Sequence, residues 1–94
     1  MILHIVSRSP FTHDALERCR TAFTPGDLLL LIEDGVLALA TPDRFLSDLQ
    51  PHVVYVLRSD AQARGLTLPA TVEGVDYTGF VDLVARCSKS VSWF

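Results

Sequence analysis

Cys19 is the one side chain in this 94-residue sequence whose type and neighbours suit nucleophilic or sulfur-transfer chemistry. A cysteine attacks and carries sulfur as its thiolate, so a working thiol needs exposure and positive charge nearby. Arg18 and Arg20 flank Cys19, and His13 precedes them. The opposing reading is structural. Flanking residues point elsewhere on a helix, and Cys19 falls on an apolar stripe with Leu16 and Phe23, where a free cysteine packs as a small hydrophobe. Cys87 continues the stripe of Phe80 and Val84 and reads as core. Two thiols this far apart form no CxxC redox pair, zinc knuckle or disulfide scaffold. His4, His13 and His52 match no metal-ligand spacing. The GxGxxG, Walker, HExxH and GxSxG signatures are absent, so neither a metal nor a cofactor is expected.

The second chemical group is charged. Ser7-Arg8-Ser9, Glu33-Asp34-Gly35, Arg58-Ser59-Asp60 and Tyr77-Thr78-Gly79 each follow an apolar run. Parallel strands would bring these four ends to one rim, the place where ligands gather in open α/β sheets. Arg8 and Arg58 can pair there with Glu33 or Asp34, or with carboxylates of another chain. The plainer reading makes Asp34, Ser59 and Thr78 helix caps and leaves the arginines solvated. Trp93-Phe94 is an aromatic pair that must pack on something, and tryptophan is enriched among interface anchors. Arg8, Glu33, Asp34, Arg58, Trp93 and Phe94 are therefore the candidate binding or interface residues.

The elements that position these groups follow from hydrophobic pattern. Residues 28–32 are apolar without alternation, which suits a strand covered on both faces of a parallel sheet. Residues 2–6 and 53–57 read as further strands, and residues 75–77 and 91–94 as shorter ones. Asp14 with Glu17 predicts the start of an amphipathic helix through Ala15, Leu16, Cys19, Ala22 and Phe23. Val36 begins a short helical stretch, Pro42-Asp43 opens another, and Ser59 with Gln62 caps a single turn that Gly65 closes. Residues 66–74, holding Pro69 and Gly74, read as a loop. Phe80, Val81, Leu83, Val84 and Cys87 mark a last helix. The alternation predicts one domain over residues 1–94, a three-layer α/β/α unit on a mostly parallel sheet of about five strands.

Composition narrows the function classes. Net charge is −3 with a single lysine, Lys89, so no basic footprint for direct nucleic-acid binding exists. No apolar run is long enough to span a membrane, no signal-peptide pattern occurs, and the cytoplasm is the expected location. Hydrophobic residues make up 49% of a very small chain. Small domains keep much of their surface wet, so this excess predicts apolar surface covered by another chain, or self-association in isolation.

Five segments carry a resemblance to a known family. They are Leu3-His4-Ile5-Val6-Ser7-Arg8-Ser9-Pro10-Phe11, Leu31-Ile32-Glu33-Asp34-Gly35-Val36, Asp60-Ala61-Gln62-Ala63-Arg64-Gly65, Val75-Asp76-Tyr77-Thr78-Gly79-Phe80-Val81-Asp82-Leu83, and the Trp93 ending. In this order the chain resembles the DsrH/TusB family. That resemblance implies a DsrE-like α/β fold and a place in a sulfur-relay complex, a heterohexamer with two copies of each of three related subunits. The implied partners are sibling subunits of the TusC/TusD or DsrF/DsrE type, with sulfur-carrier proteins upstream and downstream. One branch serves 2-thiouridine formation at the tRNA wobble position and the other the oxidation of stored sulfur. The principal sulfur-bearing cysteine belongs to a sibling, while Cys19 matches a cysteine of the DsrH-type subunit and so becomes a candidate persulfide acceptor. Three readings follow: an auxiliary subunit that completes an interface, a catalytic carrier acting through Cys19, and a small ligand-binding regulatory module using the Arg8/Asp34 rim.

Overall fold

The computed structural model describes residues 1–94. In chain order it holds β1 (Ile2–Val6), α1 (Ala15–Ala22), β2 (Leu28–Leu31), a 3₁₀ helix (Glu33–Ala40), α2 (Pro42–Phe45), β3 (Val54–Leu57), α3 (Arg58–Ala63), β4 (Val72–Val75), α4 (Tyr77–Arg86) and β5 (Lys89–Trp93). The strands form one sheet in the order β4-β3-β2-β1-β5. Every neighbouring pair is parallel. The all-leucine β2 is the central strand and is buried along its whole length, as its lack of alternation requires.

Pleating splits the sheet's side chains between two layers. Val6, Leu29, Leu31, Val54, Val56 and Val72 face a core that also holds Ala15, Leu16 and Cys19 of α1, Val36 and Ala38 of the 3₁₀ helix, Phe45 of α2 and Ala61 of α3. Leu3, Leu28 and Leu30 face the other way and meet Leu83 and Cys87 at the α4 end. Four helical segments thus cover one face, and α4 alone covers the other. The right-handedness of parallel crossovers explains this division. The first three connections step one way across the sheet, whereas the α4 crossover returns past β3, β2 and β1 to place β5 beside β1.

Two local departures from the sequence expectations have clear causes. Residues 72–74 of β4 fall in the stretch expected as a loop, and residues 76–77, expected in a strand, instead cap and start α4. Asp76 stops the strand because its side chain accepts a 2.8 Å hydrogen bond from the Gly79 N–H, an N-cap. Capping also differs at the other junctions. Ser59 and Thr78 lie inside α3 and α4. Asp34 pairs with Arg64 at 3.0 Å, and Asp14 makes no cap bond but joins Arg18 at 3.0 Å.

Gly35 is fixed by close approach. A Cβ built there would lie 2.2 Å from the Val6 carbonyl oxygen, at the end of β1. Gly35→Ala therefore forces backbone apart, and we expect a loss of about 1–3 kcal/mol in urea unfolding, the usual scale of overpacking. An unchanged midpoint would contradict this packing.

Candidate functional site

Cys19 sits in α1 with no exposed surface, in the same core as Leu16, Leu29 and Leu31. Burial, with a smaller push from the Asp27 carboxylate, raises its pKa to about 12. Compared with an ordinary thiol of pKa 9.0, the thiolate fraction at neutral pH falls about a thousandfold. Arg18 and Arg20 supply no positive field to it, because Arg18 pairs with Asp14 and Arg20 with Asp48. Cys87 is also buried, on the other face. We expect a disulfide reagent added to the folded chain at neutral pH to label Cys19 about a thousandfold more slowly than in denaturant. Rapid labelling of the folded chain would contradict the burial.

Beside Cys19 lies a buried polar chain that sequence reasoning missed. His4 of β1 points into this layer, and its Nε2 lies 2.9 Å from Asp27 Oδ2. The Trp93 indole N–H donates to His4 Nδ1 at 3.0 Å. An indole can only donate, so Nδ1 is the acceptor and the ring proton is assigned to Nε2, which donates to Asp27. Asp27 also accepts from Ile2 N, Thr24 N and Thr24 Oγ1. Burial alone would raise the Asp27 carboxyl, but the bonds from His4, Ile2 and Thr24 outweigh it and bring its pKa down to about 2. A histidine inside an apolar strand signals such a network, since a buried polar ring needs partners. Its partners, 23 and 89 residues away, carry no local mark in the sequence.

This network spends the Trp93 side chain within the chain. Its ring stacks on His4 and lies under the Arg18 guanidinium. Phe94 remains exposed, with its carbonyl oxygen accepting from Arg18.

The parallel sheet does gather the strand ends at one rim, but the charges pair differently from the expectation. Arg58 donates to the Gly74 carbonyl at 2.7 Å, and Asp34 takes Arg64 instead. Arg8 and Glu33 belong to no ion pair of the chain. Both line a cavity beside the ends of β1 and β5. No group of histidine, cysteine and acidic side chains is placed to hold a metal ion.

An exposed apolar stripe on α4 is the third feature. Tyr77 and Val81 are each 66% exposed and Val84 is 41% exposed. Their i, i+4, i+7 spacing aligns them on one stripe. The same helix buries Leu83 and packs Phe80 against the sheet, so its apolar surface runs from the buried face round to this neighbouring stripe. No helix is long and apolar enough to cross a membrane.

Comparison with known proteins adds four findings. A family model described as DsrH like protein matches residues 8–90. The curated Protein TusB of Escherichia coli O81 (strain ED1a) is 38% identical over 96 aligned positions, covering 98% of this chain and 100% of that protein. Protein TusB of Shigella boydii serotype 18 gives the same identity and coverage. Among solved structures, the ychN protein from E. coli superposes with a TM-score of 0.67 at 16% identity, over 97% of each chain. At that identity the likeness speaks for the fold alone.

Proposed function

The chain belongs to the DsrH-like protein family, and from that premise we propose that it is a non-autonomous subunit of a cytoplasmic sulfur-relay complex. In this reading two copies each of three related α/β subunits assemble. A sibling's cysteine receives persulfide sulfur from an upstream carrier and passes it toward the enzyme that forms 2-thiouridine at the tRNA wobble position. This chain supplies interface and holds that sibling in place.

The observation that carries the reading is the α4 stripe of Tyr77, Val81 and Val84, which has no cover in the single chain. The thiols support it from the other side. With Cys19 and Cys87 both buried, Cys19 is at most an auxiliary acceptor. The negative net charge fits as well, because tRNA would be held by the downstream enzyme.

The test is genetic. Deleting the gene should remove 2-thiouridine from wobble positions, measured by mass spectrometry of tRNA nucleosides. The wild-type gene and Cys19→Ser should both restore it. Unchanged thiolation in the deletion strain would overturn the wobble-uridine assignment. Failure of Cys19→Ser alone, with the variant folded and assembled, would transfer the sulfur-carrying role to Cys19.

A further inference from the structure

We propose that the cavity at the ends of β1 and β5 binds a small zwitterion of the α-amino acid class, carboxylate toward Arg8 and ammonium toward Glu33.

Topology places the cavity. The sheet order β4-β3-β2-β1-β5 reverses at β1, whose neighbours β2 and β5 are reached by crossovers on opposite faces. In open α/β sheets the crevice outside the strand ends at such a reversal is the usual ligand position. Here it has a volume of about 340 Å³, at the small end of ligand pockets. Apart from Phe94, its lining is polar, which suits a compact, charged ligand.

Charge then selects the ligand. Ser7, Arg8, Ser9 and Thr12 come from the loop after β1, whereas Glu33 and Asp34 come from the segment after β2. Asp34 is neutralised by Arg64, 3.0 Å away, and the Phe94 carbonyl is occupied by Arg18. His13, also at the wall, has its Nδ1 2.8 Å from Thr12 Oγ1. What remains unmatched is one guanidinium, Arg8, and one carboxylate, Glu33. A simple anion would satisfy the first and be repelled by the second, and a simple cation the reverse. A ligand carrying both charges matches both, with the serine hydroxyls available to its carboxylate.

The backbone supports a functional site here. Glu33 holds φ at +49°, a left-handed conformation that non-glycine residues rarely adopt. The Asp60 side chain holds it there by accepting the Glu33 N–H at 2.6 Å. Strain kept at a residue that lines a cavity is a common mark of a binding position.

Chemical-shift NMR of the isotope-labelled chain tests the proposal, because it reads weak ligands on a chain of this size. The backbone amides of residues 7–9 and 33–34 should shift on titration with L-alanine, while acetate and methylammonium, each one half of the ligand, should bind about tenfold more weakly. Arg8→Gln and Glu33→Gln, both substitutions at exposed positions, should each weaken L-alanine by about tenfold, with unchanged circular dichroism. No shifts with L-alanine, acetate binding as tight as L-alanine, or full binding by both variants would overturn it.

Discussion

Asp27→Ala lowers the unfolding free energy by about 3–5 kcal/mol, the scale expected when one member of a buried charged network is removed. The carboxylate is only 4% exposed and accepts from four groups: His4 Nε2, Ile2 N, Thr24 N and Thr24 Oγ1. Alanine would leave these donors without an acceptor and unfasten His4, which in turn positions Trp93 and the edge strand β5. Chemical denaturation measures the effect directly, and a loss below about 1 kcal/mol would contradict the network's role. The same carboxylate sets an acid limit. Its pKa falls from 3.8 unfolded to about 2 folded. The folded form therefore binds its proton more weakly, and the stabilisation is complete above the unfolded value. Stability should fall as pH drops from about 4 toward 2, by about 2 kcal/mol from this group. The Asp27→Ala variant should lack that part of the acid dependence.

Tyr77→Asp combined with Val81→Asp weakens assembly with related subunits by about a hundredfold or more, while the chain itself stays folded. Both side chains are 66% exposed and neither contributes to the buried core, so charge at these positions costs the monomer little. At the centre of an interface each truncation of an anchoring side chain commonly costs 2 kcal/mol or more, and a buried unpaired carboxylate adds to that. Analytical size exclusion of co-expressed wild-type and variant subunits checks this. Retained assembly would move the interface elsewhere on the chain. Glu33→Gln, which leaves the stripe's side chains untouched, should leave assembly intact and separates the docking surface from the rim cavity.

Much of the fold was legible because it rests on strong local pattern. The unalternating leucines of β2, bounded by Gly26-Asp27 and Glu33-Asp34, suit a covered strand, and Val54–Leu57 carries the β-branched residues that pack well on a pleated surface. The amphipathic spacing in α1 and α4 likewise marked the buried faces. β4 was not legible, since its Glu73 and Gly74 have weak strand preference. It exists as an edge strand because β3 pairs with it and Asp76 ends it. The candidate site divides in the same way. The strand ends do meet at one rim, as parallel strands require, yet which charge pairs with which depended on helix geometry. Arg64 reaches Asp34, as Arg8 and Arg58 do not. The Trp93 indole serves His4 inside the chain, a pairing across 89 residues that no local pattern marks. The stripe on α4 was hidden because Phe80, Val81, Leu83 and Val84 look alike in sequence, and only packing decides which of them face the sheet.

The most direct measurement is the mass of the chain, by light scattering, when it is co-expressed with the products of its neighbouring genes. The account predicts a stable hetero-oligomer whose α4 amides around Tyr77 and Val81 gain protection from hydrogen exchange relative to the isolated chain. A monomer that ignores those proteins and keeps α4 equally exposed in their presence would contradict it.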